Sequence, residues 1–510
     1  MANYSKIARN TLFLYFKSLV TLMITLYTSR VILEVLGIED FGIFNVVGGV
    51  VGMIVFLNTT IAATYQRYYN YEIGRKCYDK LANIFKSSLT VQLIAIVVVT
   101  LIAETIGLWF INNKLVIPAD RIDASQLVYH ISVISFAVSM IQAPFTALII
   151  AYEKMGIFAL VSILDAVLKL AIALSLSMIS GDKLIAYAWM QFGVIVINTI
   201  IYIVIPRLKF SSCKISFRWN LEEIRSLLSF AGLSMMDSMS YTFKSQGLNI
   251  LLNIFFGPAV NAARGIAYQV LAGVEQFVRG FQTSFRPQIT QLYAEGDLNS
   301  MYKLYYVATK ISFYMIWCLS LPIMLNISEI LNLWLSKENV PEYAGTFTVI
   351  VLLTATISAY ANPTSGIIYA IGRIKIFTIV VSGFNLLILP LAYVVLKLGA
   401  NPQYALIVSL VLTIFAQVAR LLVLKYLERS FSLKQYCVKV VWPTISVAAI
   451  SIIIPMAMKL YINKTEEIWY GLSVGLVAIV SVLFCIFIFG LDKLERNLLL
   501  SKIKDIIQKK

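Results

Sequence analysis

Apolar segments of about 20 residues, each long enough to cross the hydrocarbon core of a bilayer, recur from one end of this chain to the other. Hydrophobic residues make up 59% of the 510 positions and charged residues only 13%, whereas soluble domains carry about 25% charged residues. A soluble chain of this length would need far more polar surface to cover its exterior. The sequence therefore predicts an all-α integral membrane protein with about fourteen transmembrane helices.

The basic residues predict how these helices are oriented. The formal net charge is +16, and Lys and Arg collect in alternate loops, such as 67–86 and 207–225, and in the tail 492–510. Because such loops stay in the cytoplasm, and the number of spans is even, both termini are predicted to be cytoplasmic. The positive charge is thereby explained without nucleic acid. The five cysteines include no close pair, so neither a disulfide nor a metal site is predicted.

Two pairs of segments indicate an internal duplication. Residues 142–158 resemble 361–377 at an offset of 219 positions, and Gly37 aligns with Gly257 at an offset of 220. The repeat holds six spans, so its two copies would have the same orientation, with the substrate path between them. We therefore expect two pseudo-symmetric six-helix lobes, two further transmembrane helices and a basic cytoplasmic tail. The predicted bounds are 1–206 for the first lobe, 207–225 for a cytoplasmic linker, 226–430 for the second lobe, 431–491 for the additional helices and 492–510 for the tail.

The stretch RGIAYQVLAGVEQFVRGFQTSFR, residues 264–286, has the length of one membrane helix but is unusually polar. On a helical wheel its polar side chains fall within about 60° of arc. They are Arg264, Tyr268, Glu275, Arg279, Gln282 and Arg286. A central charge facing lipid costs roughly 2.5–3.5 kcal/mol even on the lenient insertion scale, so we expect this stripe to face a water-filled cavity between the lobes. Alternatively, Glu275 and Arg279 form a purely structural pair at the i,i+4 spacing.

Further charges lie in other predicted spans. With the stripe they give seven bases against four acids, which predicts a net positive cavity that favours an anion, above all a phosphate group that arginine can bind bidentately. The bases are Lys17, Arg30, Lys169, Lys244, Arg264, Arg279 and Arg286, and the acids are Glu34, Asp165, Asp237 and Glu275.

The predicted substrate-binding side chains are Arg264, Arg279, Arg286, Lys244, Arg30, Lys17, Tyr268 and Gln282, and the candidates for ion coupling are Asp165, Lys169, Asp237 and Glu275. For Asp165 and Lys169 a structural ion pair is an equal alternative. The sequence has no GxxxxGK[ST] phosphate loop, no GxSxG motif and a single histidine. No cofactor is therefore predicted, and transport would be driven by a proton or sodium gradient, the membrane potential or substrate supply.

Two stretches carry a family resemblance. NTLFLYFKSLVTLMITLYTSRVILEVLGIEDFGIFNVVGGVVGMIVFLN, residues 10–58, and AYEKMGIFALVSILDAVLKL, residues 151–170, resemble bacterial polysaccharide (O-antigen type) flippases. These belong to the multidrug/oligosaccharidyl-lipid/polysaccharide (MOP) exporter superfamily. The resemblance follows the segment order of nearly the whole chain, with diffuse hydrophobic motifs.

The resemblance implies a MATE-like, V-shaped pair of lobes that works by alternating access in the bacterial inner membrane. The implied substrate is an oligosaccharide repeat unit linked to undecaprenyl pyrophosphate, flipped from the inner to the outer leaflet for O-antigen or lipopolysaccharide assembly. It further implies contact with membrane lipids, a polysaccharide polymerase and a chain-length regulator, and function as a monomer. A MATE-type multidrug/cation antiporter is the alternative, although an arginine-rich cavity suits cationic drugs poorly. The short outer loops and the repeat disfavour a membrane polymerase or glycosyltransferase.

Overall fold

The computed structural model describes residues 4–497 except 153, 211, 212, 214, 286–288, 290, 291, 294, 462–467 and 494. The described chain is α-helical throughout, with short π- and 3-10 segments. The helices are α1 (Tyr4–Gly52), α2 (Val55–Gly74), α3 (Tyr78–Ile102), α4 (Leu108–Lys114), α5 (Ile122–Met140), α6 (Gln142–Ala151), α7 (Met155–Leu176), α8 (Lys183–Lys209), α9 (Leu221–Phe256), α10 (Pro258–Ser284), α11 (Leu298–Leu325), α12 (Ile327–Leu335), α13 (Ala344–Ser358), α14 (Ala361–Ile371), α15 (Ile374–Lys397), α16 (Gln403–Leu427), α17 (Leu433–Tyr436), α18 (Trp442–Ser451), α19 (Ile453–Tyr461) and α20 (Ile468–Cys485).

Within these described residues, 11 helical stretches are long and apolar enough to cross a membrane. The difference from the predicted number has a simple origin. Segments 11–36 and 41–66 are the first two predicted spans, but in this region only Ser18–Gly52 is among the 11 stretches, and the second half of 41–66 lies on α2. Segments 226–256 and 260–286 are the seventh and eighth predicted spans, and the helices in their place, α9 and α10, are too polar to be among the 11. The all-helical membrane fold is confirmed.

Two glycines mark corresponding turns of the repeat. Gly37 interrupts α1 with φ 79° and ψ 171°, and Gly257 separates α9 from α10 with φ 79° and ψ −176°. This backbone region is open to glycine and strained for other residues. The helices α6 and α14 also begin 219 positions apart, as do α7 and α15. Backbone geometry thus repeats at the same offsets as the sequence.

The chain divides into two compact units. Unit 1 comprises Met1–Gly265, Glu338–Tyr343 and Leu389–Ala405, and unit 2 comprises Ile266–Lys337, Ala344–Ile388 and Leu406–Lys510.

Close helix packing in unit 1 depends on small residues. Gly42 lies so near the Pro258 carbonyl that a Cβ at position 42 would clash with its oxygen. Gly49 and Gly52 likewise lie against the Gln246 side chain on α9. Small residues let membrane helices approach closely, which replaces the hydrophobic driving force that lipid does not supply. The α1 segment after Gly37 is therefore packed firmly against α9 and α10.

The linker between α8 and α9 contacts α3 and the end of α6, which also belong to unit 1. The backbone N–H of Arg218 donates to the Thr90 hydroxyl at 3.2 Å, and the Phe210 ring stacks on Tyr152 with centroids 4.2 Å apart. Cys213 is buried, and this burial raises the pKa of its thiol to about 12. Asn220 then caps α9 by accepting hydrogen bonds from the first-turn N–H groups.

Unit 2 has a core rich in aromatic rings, among them Tyr305, Phe431 and Tyr436. A buried ion pair joins α11 to the chain after the last span: the Lys310 Nζ lies 2.6 Å from the Glu495 Oε2. The Lys310 ammonium also donates to the Gly490 carbonyl at 3.4 Å. A lysine twelve residues into a membrane helix is thereby neutralised by a carboxylate that follows the last helix.

Candidate functional site

The predicted polar stripe on α10 is divided between different environments. The Arg264 side chain is nearly buried, with 6% of its surface exposed, and its Nη2 donates to the Ser245 carbonyl on α9 at 2.7 Å. In this structure Arg264 therefore links two helices of unit 1. Tyr268, one turn later, is half-buried.

Glu275 and Arg279, in unit 2, form the i,i+4 ion pair that the sequence left open. The Arg279 Nη2 donates to the Glu275 Oε2 at 2.6 Å, while 70% of the Arg279 side chain is exposed. Gln282 is buried and accepts a hydrogen bond from the Asn362 amide at 2.6 Å. Of these stripe residues, Arg279 presents the most accessible guanidinium to an anionic group.

Five further site residues were predicted: Arg30, Lys244, Arg286, Lys17 and Asp237. Arg30 and Lys244 are half-buried in unit 1. Arg286 lies outside the described residues, as do the side chains of Lys17 and Asp237, whose backbones are helical. Their predicted roles remain predictions.

Asp165 and Lys169, predicted as candidates for ion coupling, lie in a cavity of about 520 Å³ within unit 1. The walls are contributed by α1, α7 and α8, with Ser139 from α5 and Gln142 from α6. Most of the lining side chains carry a hydroxyl or an amide. They are Thr21, Thr25, Thr28, Ser29, Ser139, Gln142, Ser162, Tyr187, Gln191, Asn198 and Tyr202, with Ile32, Val161, Ala166 and Ile195 adding apolar surface.

The two charges in this cavity are paired. The Lys169 Nζ donates to the Asp165 Oδ2 at 2.8 Å, and the Asn198 amide donates to the Asp165 Oδ1 at 2.7 Å. Both carboxylate oxygens thus accept a hydrogen bond. Among the described lining residues no other side chain is charged, so the formal charge of the cavity wall is zero.

The cavity also contains buried polar atoms that have no partner within the described part of the chain. The Thr28 hydroxyl and the Asn198 Oδ1 are in this state, and each of these residues is only 6% exposed. Buried polar groups are normally hydrogen-bonded, and each exception calls for an explanation such as a bound molecule. The cavity therefore has the features of a binding site.

Sequence reasoning missed most of this site. Its one signal lies in the first helix, where Thr21, Thr25, Thr28 and Ser29 follow the i, i+4, i+7, i+8 pattern of a single helix face. Ser and Thr are uncharged and are common in membrane helices, where their hydroxyls form hydrogen bonds. This pattern alone therefore gives no reason to expect a cavity.

The comparisons with known proteins agree on the fold. A family model described as MatE matches residues 234–394. The structure of the lipid II flippase MurJ in an inward closed conformation is similar over 94% of this chain and 98% of its own length, with a TM-score of 0.69 at 11% identity. No curated protein matches the chain in sequence.

Two further structures are transporters. An inward-facing multidrug resistance MATE family transporter of the MOP superfamily is similar over 81% of this chain and 100% of its own, with a TM-score of 0.58 at 15% identity. A MOP superfamily transporter from Pyrococcus furiosus covers 81% of this chain and 94% of its own, with a TM-score of 0.56 at 15% identity. The helical architecture, the family-model match and these likenesses together show that the chain has the fold of the MOP exporter superfamily, as the sequence resemblance predicted.

Proposed function

We propose that this protein is a flippase for lipid-linked oligosaccharides. The observation that carries the proposal is the extent of the structural likeness: 94% of the chain is covered by a lipid II flippase, whereas the multidrug transporter covers 81%. Lipid II is the substrate named for the flippase.

An accessible guanidinium on α10 suits an anionic lipid head group. The Arg279 side chain is 70% exposed. A guanidinium can bind a pyrophosphate through parallel N–H···O bonds, which makes arginine well suited to this group. We therefore assign pyrophosphate contact first to Arg279, with Lys244, Arg30 and Tyr268 as further contacts of the head group.

In this proposal the head group crosses the bacterial inner membrane by alternating access while the undecaprenyl chain stays in lipid. The flipped repeat unit would then be used by a polysaccharide polymerase and a chain-length regulator. Both termini would lie in the cytoplasm, as the loop charges indicate. Glu275, and Asp237 on α9, are the acids that would couple transport to a proton or sodium gradient.

Complementation tests the proposal directly. A bacterial strain that lacks its own O-antigen flippase, and that accumulates undecaprenyl-linked repeat units, is expected to recover surface polysaccharide when it expresses this chain. Because neither the sequence nor the fold specifies a glycan, the test uses a panel of strains with different repeat units. Failure in every strain, with the protein inserted and folded, would contradict the proposal.

A MATE-type cation antiporter is the second candidate, favoured by the MatE match within 234–394. It predicts lower accumulation of ethidium in cells that express the chain, driven by a sodium or proton gradient. A cationic drug would gain little from the unit 1 cavity, where Lys169 already neutralises Asp165. Ethidium efflux without restored polysaccharide would favour this function over the flippase.

A further inference from the structure

The unit 1 cavity has the wrong charge distribution for a bound cation. Lys169 holds its ammonium 2.8 Å from Asp165, which is the place a metal ion would take. A cation would have to displace this ammonium or lie beside a like charge. Within the described residues no cluster of three or more Asp, Glu, His or Cys could hold a metal ion. An uncharged polar ligand meets none of these obstacles.

The cavity wall carries both hydrogen-bond donors and hydrogen-bond acceptors. The Ser29 and Ser162 hydroxyls donate to carbonyls of their own helices at 2.8 Å, so their oxygens remain as acceptors. The Lys169 ammonium has three N–H groups, and one of them is used by Asp165. Hydroxyl groups, which donate and accept together, match such a wall best.

The two buried atoms without a partner, the Thr28 hydroxyl and the Asn198 Oδ1, indicate which groups a ligand must offer. The Asn198 Oδ1 requires a donor, and the Thr28 hydroxyl can both donate and accept. Both residues line the same cavity. A ligand with several hydroxyl groups could satisfy both atoms together, while its carbon skeleton lies against the apolar surface of Ile32, Val161 and Ile195.

We propose that this cavity binds one uncharged sugar residue of the transported head group. The proposal rests on the flippase function, and it places a neutral sugar subsite in unit 1, between α1, α7 and α8. The volume of about 520 Å³ lies within the roughly 300–1,000 Å³ of small-molecule sites. Asp165, with Lys169, then positions hydrogen-bonding groups for the sugar and is not the site of a driving ion.

The test is saturation-transfer NMR on the full chain in lipid nanodiscs, with glucose, galactose, N-acetylglucosamine and N-acetylgalactosamine as separate probes. At least one of these sugars is expected to bind. Thr28→Val, which keeps the side-chain shape, and Asn198→Leu should each raise its Kd by roughly three- to tenfold, the loss expected for one hydrogen bond. Thr64→Val is the matched control, because Thr64 is buried on α2 and donates to the Thr60 carbonyl, away from the cavity. Thermal unfolding checks that each variant is folded.

Two results would overturn the inference. One is the absence of binding by all four sugars, or binding that both variants leave unchanged. The other is stabilisation of the protein by sodium that Asp165→Asn abolishes, which would make the cavity a cation site. Binding of undecaprenyl pyrophosphate without any sugar is measured separately: if sugars bind and this lipid does not, the flippase function fails while the sugar site stands, and the reverse result rejects the sugar site alone.

Discussion

Arg279 shows how a charged side chain can serve as an anion contact while its charge is balanced within the same helix. Its charge is balanced by Glu275 one turn earlier, at 2.6 Å, while most of its side chain remains accessible. Exposed i,i+4 pairs contribute only about 0.3–0.5 kcal/mol. The pair leaves the Arg279 guanidinium available to a stronger anion, because most of that side chain is exposed.

Arg279→Ala is expected to abolish polysaccharide export without reducing the amount of inserted protein, because an anion contact is lost and little stability changes. The measurement is surface polysaccharide on gels, in a strain that depends on this chain. Arg373→Ala, at an exposed arginine between α14 and α15, is the matched control and should export normally. Normal polysaccharide in the Arg279→Ala strain would refute the role.

Lys310 is a residue whose charge depends on a partner distant in sequence. Only 6% of its side chain is exposed, and Glu495 provides the counter-charge at 2.6 Å. Removing one member of a buried pair leaves the other charge unpaired, which typically costs 3–5 kcal/mol, whereas replacing both with apolar residues costs little.

Glu495→Ala is therefore expected to destabilise the protein by about 3 kcal/mol or more, and the double variant Lys310→Met with Glu495→Leu should recover most of the loss. Thermal unfolding in detergent compares the single and double variants. If both variants unfold at the same lowered temperature, the buried charge is not the cause.

At the scale of elements, the two copies of the repeat correspond in their turns as well as in their helices. Gly37 and Gly257 share φ 79° and an extended ψ, and each ends one helix and starts the next. Sequence comparison aligned these two glycines, but the alignment did not reveal that the chain turns there through a glycine-only conformation.

Gly37→Ala and Gly257→Ala are each expected to destabilise the protein by about 1–3 kcal/mol, since a Cβ strains this backbone region. Nothing lies within 4 Å of a Cβ built at either position, so a steric clash would not confuse the result. Gly48→Ala is the control, because Gly48 is helical, equally open and without a positive φ. Unfolding midpoints equal to that of the control would contradict the assignment.

At the scale of the whole molecule, the loop charges predict that the segment between α2 and α3 is cytoplasmic. Cys77 lies in this segment and is exposed. Cys213 lies in the linker, and burial raises the pKa of its thiol to about 12. Since the thiolate is the reactive form, Cys213 should resist alkylation at neutral pH.

A variant that keeps Cys77 as its one cysteine should react with a membrane-impermeant maleimide in inverted vesicles and not in intact spheroplasts. A second variant that keeps Cys213 alone should react in neither preparation until the protein is denatured. Labelling of Cys77 in spheroplasts would reverse the predicted topology.

The sequence by itself determined the membrane class, the succession of helices and the offset of the repeat, and it put Glu275 and Arg279 close enough to pair. All of these depend on neighbours along the chain: a span must satisfy its own backbone hydrogen bonds in lipid, and side chains four residues apart meet on one helix face.

Only the tertiary structure decided which polar side chains meet across helices. It buried Arg264 against Ser245, joined Lys310 to Glu495 and placed Thr28 and Asn198, far apart in sequence, on one cavity wall. Such contacts depend on how helices approach and rotate against each other, which is set by the fit of whole surfaces. The hydropathy of a single helix does not predict that fit.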